Sequence, residues 1–154
     1  MWQARYEKTF PGLRKEDVWA LWSDVNNWHQ WDGDTESARM EGEFRAGTGF
    51  VLRPMGGPNV KITITEADPS KGFTDVTKFP LAKMFDAHEM QETPEGLKLI
   101  SILRVVGPLS FLWRKIVAEG VARGVPKQLD ALARAALKQR GETHVPTEDK
   151  FSQS

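Results

Sequence analysis

The chain has no cysteine among its 154 residues, one tyrosine, and a formal net charge of zero. Without cysteine there is no disulfide and no thiolate nucleophile, which favours a protein of the reducing cytoplasm. The balance of 21 basic and 21 acidic residues gives no reason to expect nucleic acid or an anionic membrane as the main partner. No apolar run approaches the ~20 residues of a bilayer-spanning helix, and the first ten residues lack the pattern of a signal peptide. We therefore expect a soluble, unexported protein that does not insert into membranes.

Aromatic side chains are frequent instead, with six tryptophans and eight phenylalanines. Such rings pack protein cores and also line ligand cavities, so their number alone does not choose between the two. The length fits one domain, and we place it at residues 1–140. Residues 141–154 are polar and show no periodicity, which predicts a flexible C-terminal tail.

The first third of the chain predicts a strand followed by helical turns. Residues 2–10 alternate between apolar and polar side chains, as a half-buried strand does. A helical apolar stripe follows and predicts a helix from about Arg14 to Val25. Trp28 and Trp31 come next, three residues apart, in a segment short enough for one helical turn. They are either a lid over a cavity or a plug of the open end of a sheet.

The middle of the chain reads as an antiparallel meander of short strands separated by Gly- and Pro-containing turns. In the third of these strands Val60, Ile62 and Ile64 share one face, and polar residues occupy the other. The six predicted strands are Glu36–Phe44, Gly49–Pro54, Val60–Ala67, Gly72–Phe79, Met84–Glu92 and Leu97–Val106.

A long helix of about thirty residues is predicted after Pro108, because apolar residues recur there along one broad stripe. Gly120, Gly124 and Pro126 fall in its middle, where proline removes a backbone donor. We expect the helix to bend there or to divide into two segments.

Three strings carry a family resemblance: VWALWSDVNNWHQWD after the first strand, AHEMQETPEGLKLISILRVVGPLSFLW before the last helix, and QLDALARAA near its end. Together with the order of elements, they resemble the START-related, birch-pollen-allergen-like superfamily (SRPBCC), and within it the polyketide cyclase/dehydrase-like branch. The resemblance implies an α+β helix-grip fold. In that fold a curved seven-stranded antiparallel sheet wraps around the C-terminal helix, and two short helices follow strand one.

The resemblance also implies a cavity between sheet and helix, in which members of the superfamily bind lipids, sterols, polyketides or plant hormones. It implies no cofactor, and the three histidines show no metal-ligand spacing, so we expect no metal either. The side chains predicted to contact a ligand are Trp28, Trp31, Phe50, Leu52, Ile62, Ile64, Phe73, His88, Trp113, Val117 and Val121.

His88 is the first candidate for chemistry, because an imidazole that faces a cavity can bind a carbonyl or move a proton near neutral pH. Asp86 lies two residues earlier on the same strand face and could orient the imidazole or raise its pKa. Neither face of this strand is cleanly apolar, and the resemblance favours an inward His88. Arg104 interrupts an apolar strand, and we expect it to face outward because an unpaired buried charge is costly.

Three classes of function remain open from the sequence. The leading one is binding of a small, largely hydrophobic molecule in the internal cavity. The second is a cyclase or dehydratase that uses His88 with Asp86. The third is a protein-interaction module whose interior is filled by its own side chains. We expect a monomer or a homodimer.

Overall fold

The structure is a computed structural model, and it describes residues 1–143 of the chain. Seven strands and a series of helical segments follow one another in the predicted order. The strands are β1 (Trp2–Phe10), β2 (Thr35–Met40), β3 (Gly49–Pro54), β4 (Val60–Asp68), β5 (Gly72–Phe79), β6 (Ala82–Thr93) and β7 (Gly96–Val106). The helical segments are α1 (Lys15–Trp22), a 3-10 helix (Val25–Gln30), α2 (Ser110–Trp113), a π-helical turn (Arg114–Ala118) and α3 (Glu119–Thr143).

All seven strands form one antiparallel sheet in the order β1-β7-β6-β5-β4-β3-β2. The helix-grip fold predicted from the sequence is confirmed: the sheet curves around the long C-terminal helix, and two short helices follow β1. Among the strands and the first helix, two boundaries differ from the prediction by more than two residues. β2 ends at Met40 rather than Phe44, and the first helix ends at Trp22, after which the chain tightens into the 3-10 helix.

Alternation along the strands assigns each side chain to one of the two faces of the sheet. On β4, Ile64 is fully buried on the inner face, while Lys61 and Thr63 are exposed on the outer face. Arg104 on β7 is exposed, as expected, and its guanidinium lies 4.9 Å from the ring centroid of Phe85, its cross-strand neighbour. The inner face is therefore the side that packs on the helix.

The C-terminal helix continues through the glycines and the proline that were expected to interrupt it. α3 runs without a break across Gly120, Gly124 and Pro126, so the predicted division there is wrong. The irregularity lies earlier, in the π-helical turn that joins α2 to α3. Buried residues on the apolar stripe of α3 hold the helix against the sheet despite the missing proline donor; they are Val125, Leu129, Leu132, Ala133 and Ala136.

The first residues of the predicted tail belong to the helix, because α3 extends to Thr143. Residues 141–143 are helical, and residues 144–154 lie outside the described residues.

The buried aspartate Asp32 joins the 3-10 helix region to α3. Its Oδ2 accepts hydrogen bonds from Thr35 Oγ1 at 3.0 Å and from Gln128 Nε2 at 2.9 Å, and its Oδ1 accepts one from the Asp34 backbone N–H. These bonds satisfy a carboxylate that would be costly to bury alone. They hold the turn that precedes β2 against the C-terminal helix.

Gly72 allows β5 and β6 to approach closely at their ends. Its φ is +132°, and a Cβ at this position would collide with the His88 carbonyl oxygen and the Glu89 Cα. We expect Gly72→Ala to lower the free energy of unfolding by about 3 kcal/mol, through backbone strain and overpacking together. Urea unfolding measures this change.

Gly42→Ala is the matched control, because Gly42 also has a positive φ, +101°, but has no atom within 4 Å of the added Cβ. Gly42→Ala introduces the backbone strain without the steric clash, so we expect it to lower the free energy of unfolding by about 1 kcal/mol. Equal losses in the two variants would show that the close approach at Gly72 contributes nothing.

Candidate functional site

A belt of polar side chains crosses the inner face of the sheet. In the cross-strand register, Tyr6 lies opposite Ser101, Ser101 opposite His88, and Asp75 opposite Asp86. Thr77 lies on the same face of β5 as Asp75, two residues further on. We define the polar belt as Tyr6, Asp75, Thr77, Asp86, His88 and Ser101.

The polar belt separates two apolar cores. The first core contains the residues around α1, the 3-10 helix, β2 to β4 and the C-terminal part of α3, including Trp22, Phe50 and Leu132. The second contains Met84 and Val105 with Ala118 of the π-helical turn, and Trp2, Phe79 and Trp113 pack against it. Apolar side chains thus fill both ends of the interior, and polar side chains lie in its middle.

Asp86 and His88 form the centre of the belt. The His88 Nε2 lies 3.5 Å from the Asp86 Oδ2, and the two side chains are 11% and 19% exposed for His88 and Asp86 respectively. The other atom of each group, His88 Nδ1 and Asp86 Oδ1, is buried and has no hydrogen-bond partner within the described residues. Buried polar atoms of this kind are rare in proteins, and each calls for a missing partner.

Two carboxyl groups face each other at the belt. Burial and the nearby Asp86 raise the pKa of Asp75 well above its ordinary value. Burial also raises the pKa of Asp86, while His88 acts in the opposite direction. The pair therefore favours holding a proton, because two like charges cannot both be ionised cheaply in a desolvated place.

Aromatic rings fix the position of the His88 imidazole. The ring of Phe73 stacks on it with centroids 4.1 Å apart and an angle of 8° between the planes. Trp22 meets it edge to face at 5.9 Å. His88 thus points inward, and its ring orientation is set by the first apolar core.

Several residues of the belt and its surroundings on the inner face are only partly buried. The side chains of Asp86 and His88 keep some solvent-accessible surface. Tyr6 and Ala4, on the same face of β1, are also only partly buried. Surface depressions of about 580, 380 and 430 Å³ are lined by residues of strands and turns and by none of the C-terminal helix, and Phe73 and His88 are among the residues that line the first of them.

The predicted wall residues of the sheet lie mainly in the first core. Phe50, Ile64 and Phe73 are buried there, and Leu52 and Ile62 pack against it partly exposed. They all lie on the inner face. Three of them border the polar belt: Ile64 lies opposite Asp75, Ile62 lies opposite Thr77, and Phe73 stacks on His88.

Trp28 and Trp31 pack at the end of the sheet, their ring centroids 6.5 Å apart. Trp28 is buried, its ring meets Phe50 at 5.3 Å, and its indole N–H donates to the carbonyl oxygens of Leu21 and Trp22 at 3.1 Å. These contacts anchor the Trp28 ring to the end of α1 and to β3, and a lid that moved Trp28 would have to break them.

The predicted wall residues of the helix lie at the second core. Trp113 stacks on Phe79 with centroids 4.6 Å apart, and Val117 packs against the same core. Val121 keeps 37% of its surface exposed, so it lies at the margin of the interior.

Sequence reasoning missed Asp75 and Ser101. Both are small polar residues within strands, where such residues usually face solvent. The signal that could have identified Asp75 is its position two residues after the inward Phe73. Among residues 1–143 there is no group of three or more histidines and acidic residues placed to hold a metal. Nor does any helix in that range have the length and apolar composition of a bilayer span.

Comparison with known proteins gives a family and a fold. The family model for polyketide cyclase / dehydrase and lipid transport matches residues 1–137. No curated protein matches the chain significantly.

Three solved structures illustrate the fold. The crystal structure of Ara h 8.0201 has 16% sequence identity and a TM-score of 0.68, with 89% of this chain and 98% of that chain covered. Norcoclaurine synthase from Thalictrum flavum, solved in complex with dopamine and hydroxybenzaldehyde, has 15% identity, a TM-score of 0.64, and coverage of 89% and 87%. The di-domain ARO/CYC StfQ of the steffimycin biosynthetic pathway has 13% identity and a TM-score of 0.70, with 90% of this chain but 52% of that chain covered.

The raised pKa of Asp75 predicts how stability depends on pH. A carboxyl group whose pKa is higher in the folded than in the unfolded protein costs stability as pH rises above about 3.9, its unfolded value, toward the folded value. We expect Asp75→Asn to remove this cost, so that its melting temperature exceeds that of the wild type at neutral pH and the difference shrinks near pH 4. Thermal unfolding across this range measures it.

Asp68→Asn supplies the control with the opposite sign. The hydrogen bonds from Ser70 lower the pKa of Asp68, so that group stabilises the fold above its unfolded pKa and loses the effect as pH falls. A destabilising effect of Asp75→Asn at neutral pH, like that of Asp68→Asn, would contradict the burial of a costly carboxylate.

Proposed function

Because the chain belongs to the polyketide cyclase / dehydrase and lipid transport family, we propose that it binds a small, largely apolar molecule between the sheet and the C-terminal helix. The family membership confirms the superfamily resemblance of the sequence. The observation that carries the proposal is the presence of two buried polar atoms without partners, Asp86 Oδ1 and His88 Nδ1, in the polar belt between two apolar cores. A ligand with an apolar body and one polar group would complete the hydrogen bonding there.

The two unpartnered atoms determine which hydrogen bonds the polar group of the ligand must make. The Asp86 Oδ1 accepts a hydrogen bond when the carboxyl is ionised, and the His88 Nδ1 accepts or donates according to its tautomer. A hydroxyl or phenol can donate to one of these atoms and accept from the other. A ligand of this type would offset the free-energy cost of burying these two atoms without hydrogen-bond partners.

The apolar part of the ligand would contact side chains that border the belt on both sides. On the side of the first core, Phe73 and Trp22 present rings beside His88. On the other side lie Leu103 of β7 and Val117 of the helix. The solved norcoclaurine synthase complex supports this size of ligand, because its two bound molecules are small aromatics with polar groups.

The binding of a small-molecule probe to two variants tests the proposal. The variants substitute adjacent residues whose side chains lie on opposite faces of the sheet. Ser101 lies on the inner face beside His88, and Ile102 lies on the outer face of the same strand. We expect a phenolic fluorescent probe to bind the wild type and Ile102→Phe alike, and Ser101→Phe to bind at least about tenfold more weakly because the ring fills the space. Fluorescence titration measures the three affinities.

Both variants are first checked for an intact fold by circular dichroism and melting temperature. If Ser101→Phe does not fold, His88→Phe replaces it, since that side chain faces the same space. Equal binding by inner-face and outer-face variants, or no uptake by the wild type, would contradict an internal site.

The acid and imidazole pair also supports a second candidate, an enzyme that dehydrates a β-hydroxy carbonyl compound. One group would take the proton α to the carbonyl, and the other would protonate the departing hydroxyl, so that an enone and water form. The observation that favours this candidate is the 3.5 Å approach of His88 Nε2 to Asp86 Oδ2, together with the raised pKa values of Asp86 and of its neighbour Asp75.

Turnover of a β-hydroxy ketone, followed by enone absorbance, tests the second candidate. His88→Gln is expected to lower kcat by about a hundredfold or more, as removal of a general acid or base does. The exposed His29 serves as the control through His29→Gln. If a measured turnover survived His88→Gln, the imidazole would have no part in the reaction.

A further inference from the structure

An apolar patch is exposed where the β5–β6 turn meets the start of the C-terminal helix. Leu81 in the turn is 65% exposed, and Phe111 and Ile116 on the helix are 63% and 61% exposed. Leu112, four residues before Ile116, is 38% exposed. We define the apolar patch as Leu81, Phe111, Leu112 and Ile116.

The turn and the helix start are held together as one unit. Leu109 donates its backbone N–H to the Leu81 carbonyl oxygen at 3.0 Å, and the Trp113 indole donates to the Pro80 carbonyl oxygen at 2.9 Å. Gly107 permits this contact, since a Cβ there would lie 2.7 Å from the Leu81 carbonyl oxygen. The members of the patch therefore belong to one rigid corner of the molecule.

Leucine at position 81 is unfavourable for the stability of the turn. Its φ is +57°, and it is the non-glycine residue with positive φ among residues 1–143. A left-handed conformation at an exposed position normally selects glycine or asparagine, because a branched side chain there is strained. A large apolar side chain held in this conformation and turned to solvent suggests a role outside the fold.

The charged residues of the segments that carry the patch are all basic, and the nearest acidic residue along the helix, Glu119, is paired with Arg114. Residues 76–85 and 96–118 contain no acidic residue. Lys78 and Lys83 lie directly opposite each other on the outer face of β5 and β6, a pairing that costs stability because like charges repel. Lys115 is exposed on the helix between Phe111 and Ile116, and none of these three lysines forms an ion pair within residues 1–143.

We propose that this corner docks onto the surface of an anionic lipid bilayer. Leu81, Phe111 and Ile116 would enter the headgroup region, and Lys78, Lys83 and Lys115 would contact the phosphates. The zero net charge of the whole chain conceals this local excess of positive charge. The proposal concerns the outside of the molecule and does not depend on what the interior binds.

A second copy of the chain fits the patch less well than a bilayer does. A two-fold axis through the patch would bring the lysines of one copy near those of the other, with no acid in these segments to neutralise them. An anionic surface instead supplies the opposite charge to all three lysines at once.

Vesicle co-sedimentation of the full-length protein tests the proposal. We expect binding to vesicles of phosphatidylcholine and phosphatidylglycerol in equal parts, weak binding to phosphatidylcholine alone, and release by high salt. Leu81→Asn and Ile116→Ser should each weaken binding by about tenfold, and Lys78→Glu with Lys83→Glu should abolish it.

Leu81→Asn separates docking from folding, because asparagine tolerates the left-handed conformation and should leave the melting temperature unchanged or higher. Leu137→Ser is the matched control, since Leu137 is 40% exposed near the other end of α3; it should bind vesicles as the wild type does. Equal binding to both vesicle types, no binding to either, or equal losses in Leu137→Ser and Ile116→Ser would overturn the proposal. A dimer that dissociates in Leu81→Asn would also overturn it in favour of a self-association surface.

Discussion

The burial of unpaired polar groups in the middle of the interior is the constraint on which the rest of the structure depends. Asp86 and His88 lie between the sheet and the C-terminal helix, and one polar atom of each has no partner in the described residues. A fold optimised only for stability would place apolar side chains there, as it does on both sides of the belt. The interior thus contains a polar belt that folding alone does not explain, and the proposed ligand would supply partners for its two unpaired atoms.

The surrounding structure keeps this belt in place. Phe73 and Trp22 contact the imidazole of His88 from one side. The indole N–H of Trp28 donates hydrogen bonds to backbone carbonyl oxygens at the end of α1, which hold that ring in place. The bond from Gln128 to Asp32 holds the helix over the sheet from the same end. These contacts make the first apolar core a rigid support, so that the geometry of the belt does not depend on a mobile segment.

Much of the fold was predictable from the sequence, because the strands alternate and the turns carry glycine and proline. Ile64 and the other apolar residues of β4 were assigned to the correct face for this reason. The inner face of β6 could not be assigned from its pattern, since Asp86 and His88 interrupt its apolar residues and leave both faces mixed. Asp75 was missed because acidic residues in strands usually face solvent, although its position two residues after the inward Phe73 places it on the inner face. The sequence pattern around Pro126 predicted a division of the helix that the structure does not show. Tertiary packing of α3 outweighs the loss of one helical hydrogen bond there.

The central claim is that a small apolar molecule with one polar group completes the belt. A crystal structure of the protein with para-bromophenol tests it most directly, since the anomalous signal of bromine locates the ring without ambiguity. The account predicts a bromine peak between the sheet and the C-terminal helix, with the phenol oxygen within hydrogen-bond distance of His88 Nδ1 or Asp86 Oδ1. Side chains that close over these two atoms and leave no bromine in the interior would contradict it.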